Sequence, residues 1–228
     1  MIVAANFKMH KTRKETKEYL KELKKIDFGG VRVKVFPPFS ALLEDELIGA
    51  QNAYPAMNGA YTGEIGLEQL SEFNIKTLLL GHSERRHILG ESQEFISKKF
   101  EFYKNEGFEI FYCVGEPLEV RKKGLKAVIE YIKSQFEGID LEYEKLIIAY
   151  EPVWAIGTGI SASSEEIKTT HAEIKRLSKT PVIYGGSVKL NNIKEILSIK
   201  NVDGVLVGSA SLDVDLFKKM IEIAKEKK

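Results

Sequence analysis

Residues 149–159 read A-Y-E-P-V-W-A-I-G-T-G. The apolar run that ends at Tyr150 has the length of a buried strand, and a carboxylate, Glu151, follows it directly. Pro152 ends the strand because it has no N–H to give to a ladder. The next residues, Val153, Trp154, Ala155, Ile156, Gly157 and Thr158, are small or apolar apart from the threonine. That composition suits a flap that moves and then shuts out water. A charged side chain at the mouth of a strand, beside such a flap, suits a base that works in a dry site. The same letters also describe a strand, a turn and a solvated glutamate, so other residues must decide.

Three further groups carry chemistry. In N-F-K, strand alternation puts Asn6 and Lys8 on one side and Phe7 on the other. Two inward polar groups are costly unless they reach a ligand or each other. In G-H-S-E-R-R, His82 stands where an apolar run gives way to a loop or helix start, followed by Ser83 and Glu84. A neutral imidazole there donates a hydrogen bond to a carbonyl oxygen, and a helix N-terminus disfavours its charged form. Y-G-G-S (Tyr184 to Ser187) and V-G-S-A-S (Val207 to Ser211, with Gly208 and Ser209) close two late apolar runs. Their glycines let backbone N–H groups approach an anion. His10, His87 and His171 read as surface or packing residues, and no His/Cys/Asp/Glu set has metal spacing.

These residues need elements to hold them. Strand-like runs recur at 2–8, 31–36, 48–54, 77–82, 109–115, 145–151, 181–185 and 202–207. Charged segments with helical spacing lie between most of them. Tyr19, Leu20, Leu23 and Ile26 share one helix face, as do Leu125, Val128, Ile129, Ile132 and Phe136, and Val214, Phe217, Met220, Ile221 and Ala224. Ser163 with Glu166 three residues on predicts a capping box, opening a helix with Ile167, Ile174 and Leu177 on its apolar face. The segment 41–47, after the second run, allows barely two turns. Eight strands alternating with helices imply parallel pairing, either closed as a (β/α)8 barrel or open as a doubly wound sheet. The polar residues cluster where the runs end, and in a barrel those ends converge on one face, which favours the barrel. No linker or composition shift divides residues 1–228, so one domain is expected.

Composition excludes several classes. The 228 residues are 43% hydrophobic and 29% charged, with a formal net charge of +1. Nothing there draws the whole chain to nucleic acid or an anionic membrane. No apolar run approaches the roughly 18 residues of a membrane helix. The apolar N-terminus is too short for a signal segment, and its basic residues come after it. One cysteine, Cys113, rules out an intramolecular disulfide. A cytoplasmic location is expected.

Taken together in order, N-F-K, G-H-S-E-R-R, C-V-G-E (Cys113 to Glu116), Y-E-P-V-W-A-I-G-T-G, Y-G-G-S-V and V-G-S-A-S-L resemble the triosephosphate isomerase family. The resemblance runs from Ile2 to about Leu216. It implies a (β/α)8 barrel that interconverts dihydroxyacetone phosphate and glyceraldehyde 3-phosphate, in glycolysis and gluconeogenesis, without cofactor or metal. By matching position, it implies Glu151 as base, His82 as electrophile, Lys8 as the compensating cation and Asn6 as an orienting group. It implies phosphate binding by Gly157, Ser187, Gly208 and Ser209. Ser83 would hold Glu151 in an open position, Glu84 would pair with Lys8, and Tyr184 with Ser187 would latch the closed flap. G-A-Y-T-G-E (Gly59 to Glu64) is similar to the family's interdigitating loop, which implies that Thr62 enters a partner's site in a homodimer, with higher assembly open. The partners implied are a small phosphorylated triose and a second copy, not nucleic acid or membrane.

The chain departs from the family pattern at Phe7 and His10, where tryptophan and asparagine are commoner. Ser209 replaces a glycine, and Ile160-Ser161-Ala162 stands where the second flap hinge commonly begins with lysine. The chain is also short around the second and fifth helices. Another phosphate-binding barrel enzyme accounts for the glycine loops but not for His82 with the Glu151 flap. A catalytically dead barrel does not account for Glu151, His82 and Lys8 together.

Overall fold

The structure, a computed structural model, describes residues 1–156 and 161–227. Among these, seven strands form one parallel sheet: β1 (Ile2–Asn6), β2 (Arg32–Phe36), β3 (Thr77–Leu80), β4 (Glu109–Val114), β5 (Leu146–Tyr150), β6 (Val182–Tyr184) and β7 (Gly204–Val207). Their order is β2-β1-β7-β6-β5-β4-β3. The first and last strands of the chain are neighbours, with Ile2 opposite Gly204. β2 and β3, at the two ends of that order, do not pair with each other directly. That gap is closed by two isolated parallel bridges, Val35 with Ile48 and Ala50 with Leu78. Four backbone bonds carry them: Val35 N–H to Leu47 O, Gly49 N–H to Val35 O, Ala50 N–H to Thr77 O and Leu79 N–H to Ala50 O. The ring is that of a (β/α)8 barrel.

The expected third strand, 48–54, is therefore reduced to its first three residues. A Cβ on Gly49 would lie 2.4 Å from the Phe36 ring, so this position must be glycine to let the ring fill the barrel. Beyond Ala50 the chain leaves the ladder, and the Gln51 carboxamide donates to Lys8 O and Phe36 O, both at 2.8 Å. The first strand is also shorter than expected. It stops at Asn6, and Lys8 sits in the left-handed region with φ 52°. Alternation accordingly accounts for Asn6 but not for Lys8, which the turn delivers instead.

Two apolar layers follow from alternation on strands buried on both faces. Ile2, Ala4, Phe36, Leu79, Phe111, Cys113, Ile147, Ala149, Ile183 and Leu206 fill the barrel interior. Their neighbours, among them Val3, Val33, Leu78, Ile148, Tyr150 and Val205, face the outer ring of helices. That ring comprises α1 (Arg13–Leu23), α2 (Leu67–Glu72), α3 (Ser83–His87), α4 (Gln93–Asn105), α5 (Leu118–Arg121), α6 (Leu125–Ser134), α7 (Ser164–Leu177), α8 (Ile193–Ile196) and α9 (Val214–Lys225). Most of the expected faces are buried: Tyr19, Leu20 and Leu23 on α1, Val128 and Ile132 on α6, and Phe217, Met220, Ile221 and Ala224 on α9; Leu125, expected on the α6 face, is instead exposed in the first turn of that helix. The Ser163–Glu166 capping box opens α7. The weak segment after β2 holds only a 3-10 turn, Phe39–Ala41. Among the described residues no helix is long and apolar enough to cross a membrane, and no cluster of His, Cys, Asp and Glu is placed to hold a metal ion.

Candidate active site

Glu151 lies one residue beyond β5, on the inward side set by Ile147 and Ala149. It is 2% exposed, which for a carboxylate demands partners. One oxygen accepts from the Ser83 N–H at 3.3 Å, and the other lies 3.4 Å from His82 Nε2. Gly185 makes room for this side chain, because a Cβ there would come within 2.8 Å of Glu151 Cγ. Cys113, from the interior row of β4, faces the same carboxylate. Burial, and then the Glu151 charge, push its thiol well above the usual range, so it stays a protonated neighbour.

His82 caps the N-terminus of α3, and its Nδ1 accepts from the Glu84 N–H at 3.3 Å. A nitrogen that accepts a hydrogen bond carries no proton. The ring hydrogen therefore sits on Nε2, aimed toward Glu151 and the cavity. Glu84 also accepts from Lys8 Nζ at 2.6 Å, and Lys8 N–H is held by Asn6 Oδ1 at 2.9 Å. A buried carboxylate, an imidazole N–H and an ammonium from three separate loops thus converge. They line a cavity of about 420 Å³ with Asn6, Ser187, Gly208 and Ser209.

A second wall of the cavity is built by two loops. Ser187 follows β6, and Gly208 leads into the 3-10 turn Ser209–Ser211, whose first bond runs from Ser211 N–H to Gly208 O. The N–H groups of Ser209 and Ala210 are consequently free of the turn and open to a ligand. Ser209 is exposed, so its extra side chain meets no steric conflict in the position where a glycine is commoner. Ser211 is fully buried, and its hydroxyl donates to Gly208 O at 2.7 Å, which fixes the turn.

Residues 1–224 match the family model of triosephosphate isomerase. The chain belongs to the triosephosphate isomerase family. A triosephosphate isomerase of a Sulfurovum species is 60% identical over 227 residues, which cover 97% of this chain and 99% of the relative. One from a Nitratiruptor species is 58% identical over 233 residues, covering 99% of both. One from Helicobacter hepaticus is 51% identical over 233 residues, covering 98% and 99%.

In this member of the family the segment that follows Glu151 is anchored. Val153–Ala155 form a 3-10 turn, and Val153 N–H donates to Glu116 O at 3.0 Å. Trp154 Nε1–H donates to the Glu116 carboxylate at 3.0 Å. Glu116 is fully buried and is held in turn by Arg121 at 2.8 Å and by the Tyr150 hydroxyl at 3.2 Å. Pro152, Ala155 and Ile156 belong to the same anchored segment, and Ile156 reaches the cavity wall. Gly157 and Thr158 lie outside the described residues.

Two expected residues stand apart from the cavity. Tyr184 faces outward from β6, and a Cβ on Gly186 would come within 2.2 Å of its hydroxyl oxygen. That hydroxyl is buried and makes no full hydrogen bond among the described residues, the Ala162 backbone N–H being its nearest polar neighbour. Burial pushes its pKa up to about 12, and the Ala162 backbone amide tempers the rise. Thr62 is exposed on the 57–64 loop, whose Tyr61 stacks on Tyr54 at 3.9 Å. Gln51, Arg121 and Lys189 belong to none of the motifs legible in the sequence. Their signals were only adjacency to a strand end or glycine loop, which many unremarkable residues share. Of the other histidines, His10 lies exposed at the cavity edge, His87 is exposed and His171 is fully buried.

Proposed function

We propose that this chain interconverts dihydroxyacetone phosphate and D-glyceraldehyde 3-phosphate through an enediolate. The observation that carries this reading is the Glu151 carboxylate, buried 3.4 Å from His82 Nε2, with Nδ1 already occupied by the Glu84 N–H. A proton next to a carbonyl is only weakly acidic. Its removal needs a base close by and donors preorganised on the oxygen that becomes negative. Glu151 takes the proton from one carbon and returns it to the next. His82 Nε2–H bonds the carbonyl oxygen and passes a proton between the two oxygens. Lys8 balances the developing charge, and Asn6 orients the substrate. No electron changes hands overall, so the reaction asks for no redox cofactor.

The phosphate rests on backbone N–H groups of Ser187, Gly208 and Ser209, with Gly157 as the flap's contribution. Flap closure removes water, which strengthens each of these contacts and keeps the intermediate from eliminating phosphate. Ser83 holds Glu151 aside in the open state through its backbone N–H. Tyr184, whose buried hydroxyl makes no full hydrogen bond among the described residues, and Ser187 then latch the closed flap.

We read residues 1–228 as one domain, since the chain's first and last strands pair with each other. We also read the enzyme as a homodimer in which Thr62 enters the partner's cavity. Met9, Ile88 and Leu89 are 92%, 76% and 63% exposed, and all follow strands at the same end of the barrel as Thr62. Apolar side chains gathered around a binding cavity are what an interface covers. The lone cysteine, buried and free, fits a reducing cytoplasm. The test is turnover of dihydroxyacetone phosphate by the purified chain, with the glyceraldehyde 3-phosphate formed oxidised by a coupled dehydrogenase. Turnover at the rate of the uncatalysed reaction would overturn the reading.

A further inference from the structure

The charges around the cavity do not by themselves favour an incoming dianion. Lys8 is answered by Glu84 at 2.6 Å, and Glu151 adds a buried negative charge. Those three sum to one negative charge facing a phosphate that arrives with about two. The remaining charged residue on the cavity wall is Lys189. It is exposed, and its ammonium forms no ion pair among the described residues. Many other lysines here, such as Lys24, Lys98, Lys168 and Lys218, hold a carboxylate.

The loop that carries Lys189 is fixed from below. Asn192 Oδ1 accepts from the Lys189 N–H at 2.7 Å, and Asn192 Nδ2 donates to Ser187 O at 3.0 Å. One side chain therefore ties the residue bearing the free charge to the residue on the phosphate wall. The ammonium itself is left to solvent, where a flexible stem can follow an anion inward.

We propose that Lys189 is the capture cation of this cavity, a binding residue that draws in the phosphate dianion before the flap closes. The inference rests on the phosphorylated-substrate reading and adds a residue to it. Because Lys189 acts at the cavity edge, its effect is on encounter and falls with salt. One charge acting on a dianion at about 10 Å through water changes the encounter about fourfold before screening.

The experiment compares the full-length wild type with Lys189→Gln, Lys189→Glu and Lys126→Gln, the last removing an exposed charge from α6 on the outer ring. At about 10 mM ionic strength, where screening is weak, kcat/KM for glyceraldehyde 3-phosphate should fall about fourfold in Lys189→Gln. It should fall further in Lys189→Glu and hold in Lys126→Gln. At about 0.5 M salt the four proteins should converge. With unphosphorylated glyceraldehyde the Lys189 variants should match the wild type, which a distorted site would not. Loss that persists at high salt, loss shared by glyceraldehyde, or no loss at low salt would each overturn the proposal. Calorimetry with inorganic phosphate separates it from the isomerase reading. An inactive wild type whose phosphate affinity still drops in Lys189→Gln overturns the reaction and keeps the capture role.

Discussion

Glu151 and His82 show what single residues contribute. Glu151→Gln preserves shape and the Ser83 contact but removes the proton acceptor. Turnover should drop by roughly 100- to 10,000-fold or more, while inorganic phosphate still binds; near-normal turnover in a steady-state assay would refute the base. His171 has a role in stability instead. It is fully buried between Tyr150 and Tyr184, its Nδ1–H bonds Asn201 O at 3.0 Å, and its Nε2 has no partner among the described residues. Burial lowers its pKa from 6.5 to about 4. Between those values the unfolded chain binds a proton that the folded chain refuses, so stability rises with pH. The contribution is complete above about pH 6.5 and is lost as pH falls toward 4, by about 3 kcal/mol in all. Urea unfolding at about pH 7 and about pH 4.5, at fixed protein concentration, should show a smaller acid loss in His171→Gln than in wild type. An equal loss in both would assign the acid sensitivity to other groups.

At the scale of elements, the proposed flap would join the barrel through a built joint. Trp154, the chain's only tryptophan, is tied to Glu116, which Arg121 and Tyr150 hold in place. The proposed closure would change the surroundings of that indole. A non-reacting phosphate ester should therefore shift Trp154 emission in a saturable way. Tyr184→Phe with Ser187→Ala should weaken the response by about 1–3 kcal/mol, the worth of one or two hydrogen bonds made only when closed. Calorimetric binding with no change in emission, anisotropy or quencher access would mean that Trp154 does not report closure. The closing segment of the barrel teaches a different lesson. Its apolar letters predicted a strand over 48–54, yet the Phe36 ring over Gly49 and the Gln51 side-chain bonds leave only two bridges. Local pattern registers burial, but it does not register which ladder partners remain within reach.

For the whole molecule, assembly is the question that one chain leaves to experiment. In the proposed homodimer, Thr62→Arg would place a charge in the partner's cavity, where an unpaired buried charge costs several kcal/mol. Sedimentation should show a shift toward monomer, with activity falling alongside it. An unchanged, fully active dimer would remove Thr62 from the interface.

The sequence by itself determined the alternation of strands and helices, the buried faces of α1, α6 and α9, and the Ser163–Glu166 cap. Each depends on residues within a few positions of one another, where periodicity and capping chemistry act. It also marked Glu151, His82, Lys8 and the two glycine loops, because charge or glycine at the end of an apolar run is costly without a use. Tertiary structure decided the rest. Lys8 reaches the cavity through a left-handed turn that alternation does not anticipate, and Tyr184 turns outward although its motif ends at the cavity. Cys113 meets Glu151 and Glu116 meets Trp154 only because β4 and β5 pair in register, Cys113 beside Ala149. Contacts between residues 38 positions apart depend on how the ring closes, and ring closure is settled by packing summed over every strand.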